Sequence, residues 1–330
     1  MAAYTGIQGQ NILIVSSDPA NPTEGQIWYN STSNLLKGYQ NVVVAAAWAS
    51  GGNMNTARQD LAGAGIQTAA LGFGGNEGPQ ITSASESYNG TSWTNTPSLP
   101  SARYVLGGCG TQTAGLAIGG YATDYLSSTE EYNGTSWTAG GSLTTARYGS
   151  TGVGIQTAAL AVGGNSGPNL TTTEEYNGSA WTSGGSLANA RRQAGGAGIQ
   201  TAAVVFGGYN DPTDLSATEK YDGTSWTSSG NLNTARGFLG GAGIQTAAVA
   251  FGGGTGDATN TAVTELYNGT SWTNSTSMAT ARRRLAGANA GPSSSTAAFG
   301  GQNPSAVASA LTEEWTGPST ALQTKTITTS

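Results

Sequence analysis

Histidine is absent from this 330-residue chain, and cysteine occurs once, as Cys109. Without imidazole and with a single thiol, His- or Cys-built zinc sites and Ser-His or Cys-His catalysis are excluded, and so is an internal disulfide. Charge is scarce as well. Only 9% of residues are charged and twelve are cationic, for a formal net charge of -6. The one cationic block is Arg282-Arg283-Arg284, too little to hold a phosphate backbone, so nucleic acid is not an expected partner. The apolar run Ile12-Leu13-Ile14-Val15 near the start is too short for a signal-peptide core and follows no basic segment, so neither a signal peptide nor a membrane span is expected. Acidic ligand runs of the EF-hand kind are missing too, and no metal or cofactor is expected.

What is abundant is glycine, 52 residues of it, with Ala, Ser and Thr. The stretch Tyr176 to Gly208 shows how they are used, because nearly all of it recurs. Trp stands at 48, 93, 137, 181, 226 and 272, and an Arg follows ten residues after each, at Arg58, Arg103, Arg147, Arg191, Arg236 and Arg282. Gly-Gly pairs begin at 74, 119, 163, 207, 252 and 300. A Glu precedes an aromatic by two residues at Glu86, Glu130, Glu174, Glu219, Glu265 and Glu313. A period of about 44 residues running six times describes repeated supersecondary units that bury their apolar faces on one another. A disordered low-complexity chain lacks such spacing of Trp, Tyr and aliphatic residues.

Within one unit the residues after Arg147 are strand-like, a turn at residues 154–157 leads into the short apolar strand Ala158 to Val162, and Gly163-Gly164 ends it. A variable loop follows, then a third strand from Thr172 to Tyr176, an Asn177-Gly178 turn and a fourth strand through Trp181. Four strands and no helical period make one antiparallel sheet per unit. An apolar run, Gly-Gly, a Tyr about a dozen residues on, a Trp five beyond it and an Arg opening the next unit resemble kelch repeats over about five-sixths of the chain. The resemblance implies an all-β, six-bladed kelch-like β-propeller with four strands to a blade. The last unit departs from the pattern, with Trp315 in place of Tyr and GPSSSTAA in place of GIQTAA. It lacks a fourth strand, which residues 42–48 are expected to supply, closing the ring and removing an open edge. The tail from Gly317, with β-prone KTITT, is the alternative source of that strand.

Three segments follow: residues 1–40 as an N-terminal arm, 41–317 as the propeller and 318–330 as a tail. In the arm, Ile27-Trp28-Tyr29 and Leu35-Leu36 flank Asn30 to Asn34 as a β-hairpin. GQIWYNSTSNLLKGY resembles a short segment near the N-termini of tailed-phage structural and fibre proteins, and the Gly/Thr-rich repeats resemble arrays in marine tailed phages. This resemblance implies a virion protein in multiple copies on the phage tail, neck or capsid surface, docked to other virion proteins through residues 1–40.

Residues repeated six times are expected to build the fold, since a catalytic site needs one asymmetric set of groups. That applies to Trp48, Trp93, Trp137, Trp181, Trp226 and Trp272 and to the repeated Arg and Glu, which the kelch resemblance implies are buried pairs. The NGTSW turns resemble the Asp box of sialidases, a structural turn, but no arginine triad with a Tyr-Glu pair accompanies them; copper oxidases built on kelch propellers need His ligands. The irregular residues are the loops after Gly-Gly, such as YATDYLS and YNDPTDL, on one face, whereas the GIQTA and NGTSW turns are near-uniform. Tyr121, Asp124, Tyr125, Tyr209, Asp211, Asp214 and Asp257 are the contact groups there, with aromatic planes for sugar rings and carboxylates for their hydroxyls. Arg192, Arg283 and Arg284 break the sixfold pattern and favour an anionic ligand. The expected function is therefore non-enzymatic, a tail-fibre-like adhesin binding a host-surface glycan. The alternatives are a purely structural decoration or neck component, or a glycan-processing enzyme with a carboxylate pair assembled from the loops.

Overall fold

The computed structural model describes residues 12–255 and 259–327. Among them every regular element is a β-strand. The chain forms two compact units: one contains the residues up to Ala46 together with those from Pro318 on, and the other runs from Ala47 to Gly317.

The larger unit holds six four-stranded antiparallel sheets among the described residues, five of them simple meanders. In the third sheet Thr151–Ile155, Ala158–Val162, Thr173–Tyr176 and Trp181–Ser183 pair in chain order. The first strands are Ala62–Ile66, Gly107–Gly110, Thr151–Ile155, Gly195–Ile199, Gly240–Ile244 and Ala286–Gly287, and each lies beside the next, the last lying beside the first. Glycine permits that approach: a Cβ on Gly152 would sit 2.7 Å from the Gly108 carbonyl oxygen of the preceding first strand. Gly163 ends the second strand with φ of 62°, and a Cβ there would lie 2.4 Å from the Arg191 carbonyl oxygen, so no other residue fits.

The sixth sheet takes three strands from the end of the unit, Ala286–Gly287, Ser295–Phe299 and Thr312–Thr316, and its fourth from the beginning, Ala47–Ser50, with Trp48 opposite Trp315. The closing strand thus begins at Ala47 and not at Val42. Val42 to Val44 end a longer strand, Leu35–Val44, that pairs with Ser319–Thr326. Three consecutive valines favour that extended ribbon over a bend into the sixth sheet. The tail accordingly pairs with the N-terminal segment, and the boundary falls at Ala46 instead of residue 40.

The strands stack because each second strand has a small face and a bulky face. Ala159 and Ala161 meet Leu116 and Ile118 of the second sheet, whereas Leu160 and Val162 meet Ala203 and Val205 of the fourth. Burial of each Leu or Val side chain contributes about 1.5–3 kcal/mol. Polar bonds then fix the spacing between sheets. Trp181 donates its indole N–H to Thr129 Oγ1 (3.0 Å), the Tyr176 hydroxyl donates to Glu131 Oε1 (2.6 Å), and Gln156 Nε2 donates to the Gly115 and Tyr132 carbonyls (3.0 and 2.8 Å). The Gln of each GIQT turn is thus a clamp on the preceding sheet; Gln112, Gln200 and Gln245 act in the same way.

Cys109 lies in this packing between the second and third sheets. Burial pushes its thiol up to about 12, and the thiolate is the reactive form. Ellman's reagent at pH 8 is therefore expected to find no reactive thiol in the native protein and one per chain in denaturant. A full equivalent released within seconds from the native protein would show that the two sheets separate readily.

The smaller unit is a mixed sheet. Leu13–Val15 runs parallel to Ile27–Asn30, which forms a hairpin with Leu35–Val44. Asp18 organises its polar side, accepting from Lys37 Nζ (2.7 Å), Asn30 Nδ2 (2.8 Å) and the indole N–H of the fully buried Trp28 (3.0 Å). These donors, Lys37 first, hold the Asp18 carboxyl down at about 2.

Candidate functional site

Each repeated Arg precedes two residues that cross toward the first strand of its sheet. The second of the pair is Asp60, Val105, Gly149, Gln193, Phe238 or Arg284, and all six have φ between 49° and 67°. Their backbones form a closed ring: Val105 N–H donates to Asp60 O, Gly149 to Val105, Gln193 to Gly149, Phe238 to Gln193, Arg284 to Phe238 and Asp60 to Arg284, at 2.7–2.9 Å. A left-handed conformation costs a non-glycine residue about 1–2 kcal/mol. A chain so rich in glycine nevertheless places Asp, Val, Gln, Phe and Arg here, all different. Inside the ring the fully buried Asp60 carboxylate accepts from Arg284 Nη1 (3.0 Å), from Gln193 Nε2 across the ring (3.2 Å) and from Asn76 Nδ2 (3.3 Å). Burial raises its pKa while Arg284 opposes the rise. These groups cap a cavity of about 100 Å³ walled below by Leu61, Leu106, Leu239 and Leu285.

The first residue of each pair is Gln59, Tyr104, Tyr148, Arg192, Gly237 or Arg283, and each is bridged by backbone bonds to the residue after a Gly-Gly pair. This bridging carries the irregular loops into contact with the ring on one face. The second and third sheets there contribute an aromatic cluster. Tyr121 meets Tyr104, Tyr125 and Tyr148 edge-on at centroid distances of 5.7, 5.6 and 6.1 Å. Tyr125 and Tyr148 are parallel to within 6° at 5.7 Å. Arg192 lies against this group, its guanidinium carbon 5.8 Å from the Tyr148 ring centre and 4.9 Å from that of Tyr209.

Beside the rings opens a cleft of about 430 Å³ lined by Tyr125, Tyr148, Asn165, Asn169, Arg192, Asn210 and Asp211, with Gly167 and Pro168 at its edge. Its polar wall is a connected chain. Arg192 Nη1 and Asn165 Nδ2 both donate to Asn169 Oδ1 (3.1 and 2.9 Å), and Asn169 Nδ2 donates to Asn210 Oδ1 (3.0 Å). Asp211 Oδ1 accepts from the Tyr209 hydroxyl (3.3 Å). Burial raises the Tyr148 phenol above its ordinary value, with Arg192 opposing, so it stays a neutral donor at physiological pH.

Tyr121, Tyr125, Arg192, Tyr209 and Asp211 are thus brought together as sequence reasoning grouped them. Tyr209, however, is not an exposed contact: it is 4% accessible, covered by Arg192, and supports the cleft from beneath. Asp124 is exposed and accepts the Tyr125 backbone N–H (2.7 Å), shaping its own loop away from the cleft lining. Asp214 pairs with Tyr209 in a two-residue ribbon. Asp257 lies outside the described residues. Arg283 is buried and donates to Gln302 Oε1 (2.8 Å), and Arg284 belongs to the ring.

Sequence reasoning missed Tyr104, Tyr148 and the ring because, of the residues after the repeated Arg, it singled out only the arginines; it passed over Asn165, Asn169 and Asn210 because in the loops it weighed only aromatic and acidic groups. The signal was there: in units that otherwise agree, the two residues after the repeated Arg read Gln-Asp, Tyr-Val, Tyr-Gly, Arg-Gln, Gly-Phe and Arg-Arg.

The repeated Arg and Glu occupy the opposite kind of position. Arg58–Glu86, Arg103–Glu130, Arg147–Glu174, Arg191–Glu219, Arg236–Glu265 and Arg282–Glu313 are all ion pairs with side chains at most 8% accessible, deep inside each sheet. No helix among the described residues is long and apolar enough to cross a membrane. Neither a known protein family nor a curated protein matches the chain.

Proposed function

We propose that the six sheets are the blades of a closed, kelch-like β-propeller, and that this propeller is a non-enzymatic recognition module taking a glycan in the Tyr125–Tyr148 cleft. Six four-stranded sheets, the cyclic order of their first strands and the returning ring of peptide hydrogen bonds support the blade count. The observation that carries the binding reading is the cleft itself: parallel aromatic planes beside a connected wall of Asn, Arg and Asp, on the face where the repeats diverge. Aromatic planes take the apolar face of a pyranose, and planar amides and carboxylates take its hydroxyls. The cleft volume is within the roughly 300–1,000 Å³ usual for small-ligand sites. Among its lining residues Asp211 is the single carboxylate, whereas glycoside hydrolysis generally uses two; binding is the reading this favours.

The setting proposed is a tailed-phage virion, on the resemblance of GQIWYNSTSNLLKGY and of the Gly/Thr-rich repeats to phage structural proteins. There the smaller unit joins other virion proteins and the propeller meets the host surface. Many copies on one particle turn weak single contacts into firm attachment.

The test is binding of the full chain, displayed multivalently, to intact candidate host cells and to a glycan array, against Tyr125→Ala and Tyr148→Ala. Each substitution is expected to weaken the single-site affinity about tenfold, some 1.4 kcal/mol, with melting of Tyr125→Ala unchanged. Binding that survives both substitutions would place the ligand elsewhere.

A further inference from the structure

We propose that the cleft selects an acidic sugar, whose carboxylate is taken by Arg192 while its ring stacks on the tyrosines. The inference deepens the glycan reading and rests on it. It starts from an imbalance of charge. All six repeated arginines are matched with a glutamate, Arg284 with Asp60 and Lys37 with Asp18. Arg192 is half-buried and, among the described residues, has no carboxylate within 4 Å. A partly desolvated cation without a counter-charge is costly, and an anionic ligand relieves that cost.

The side chain is also held ready. Two tyrosine rings flank the guanidinium and Asn169 Oδ1 accepts from Nη1, which fixes the plane of the fork and leaves its other N–H groups without a partner among the described residues. A fixed planar fork with spare parallel donors matches a carboxylate in two-point contact. In a uronic acid the carboxylate is attached directly to the pyranose ring. Stacking of that ring on Tyr148 brings it to a guanidinium whose carbon is 5.8 Å from the tyrosine centre. Asn210 and Asp211 line the same cleft, and their oxygens can take the sugar's hydroxyls, whereas the Asp211 carboxylate disfavours a second acid group there.

The experiment measures affinity of the intact protein for uronate oligosaccharides and for the same oligosaccharides after reduction of the carboxyl groups to alcohols. The acidic forms are expected to bind at least tenfold tighter. Arg192→Gln is expected to erase that preference and keep the weaker binding of the reduced forms, and Arg192→Lys to restore only part of it. Should Arg192→Gln lower the melting temperature, the wild type alone still decides: its preference is expected to vanish as pH falls below the ordinary carboxylate range, about 4. Equal affinity for the two forms, or a preference that survives Arg192→Gln, overturns the acidic-sugar assignment and leaves the glycan reading standing. Absence of binding to every glycan, neutral or acidic, overturns both.

Discussion

Arg147→Ala lowers the stability of the larger unit by about 3–5 kcal/mol, because it leaves a buried carboxylate without its counter-charge. The guanidinium, 1% accessible, donates through Nη2 to Glu174 Oε1 (2.6 Å), through Nη1 to the Gly163 and Thr172 carbonyls (2.9 and 3.2 Å) and through Nε to Thr145 O (3.2 Å). It therefore ties the connection entering the third sheet, the Gly-Gly turn and the third strand to one point. Burial pulls the guanidinium down from its ordinary value and the Glu174 carboxylate opposes that pull; with so high a starting value it keeps its proton. Glu174 also accepts the Thr144 backbone N–H (2.7 Å), so the pair holds the connection from both sides. For a unit of this size 1 kcal/mol corresponds to roughly 2–4 °C, and circular dichroism is expected to record a fall of about 10 °C in Tm. Arg147→Lys falls between, since a single ammonium cannot span the carboxylate and both carbonyls. A change under a degree for Arg147→Ala would mean that water replaces the guanidinium without cost, and that the pair is not a structural tie.

The second large effect concerns the strand Ala47–Ser50. A chain of residues 47–317 contains all four strands of the sixth sheet; one of residues 52–317 lacks the last of them. Without it the strand Thr312–Thr316 has an open edge, and Trp48 no longer packs on Phe251 and Trp315 at 5.3 and 5.2 Å or donates to Thr264 Oγ1 (3.0 Å). Trp48 is half-buried, so its loss costs less than the roughly 3–5 kcal/mol of a fully buried Trp; the larger effect is the unpaired edge, which recruits other chains. The longer chain is expected to elute as a folded species with a cooperative melt, and the shorter to aggregate or melt more than 10 °C lower. Equal melting of the two would show that the sixth sheet closes without its N-terminal strand.

Much of this architecture was legible because the same job is done six times. Trp, Arg, Glu and Gly-Gly recur at fixed spacing since each sheet needs an indole reaching its predecessor, a buried ion pair and a turn with two positive-φ residues, and the count of those residues is the count of sheets. Strand limits were harder where two partners competed for the same residues: Val42 is β-prone in any register, and only the pairing with Ala321 decides which sheet it joins. The cleft was legible in part. Tyr125, Arg192 and Asp211 stood out as irregular residues, but Tyr148 reads as one more residue after a repeated Arg until the packing of the second sheet on the third brings it against Tyr125. Tyr209 misled for the converse reason: it sits in a variable loop yet points inward. A side chain's direction in an irregular loop is set by contacts between repeats, and a single repeat does not contain them.

The ring of six peptide hydrogen bonds uses main-chain atoms alone, and its members already include an acid, an amide, an aromatic, a cation, a branched aliphatic and a glycine. No side chain is needed to keep its shape. The main chain of this floor is thus indifferent to most of the chemistry it displays, the buried Asp60–Arg284 pair excepted, while the six repeated ion pairs and the indoles lie elsewhere in each sheet. Single substitutions at ring positions other than Asp60 and Arg284 are thus expected to change the chemistry of this face without refolding the body that carries it.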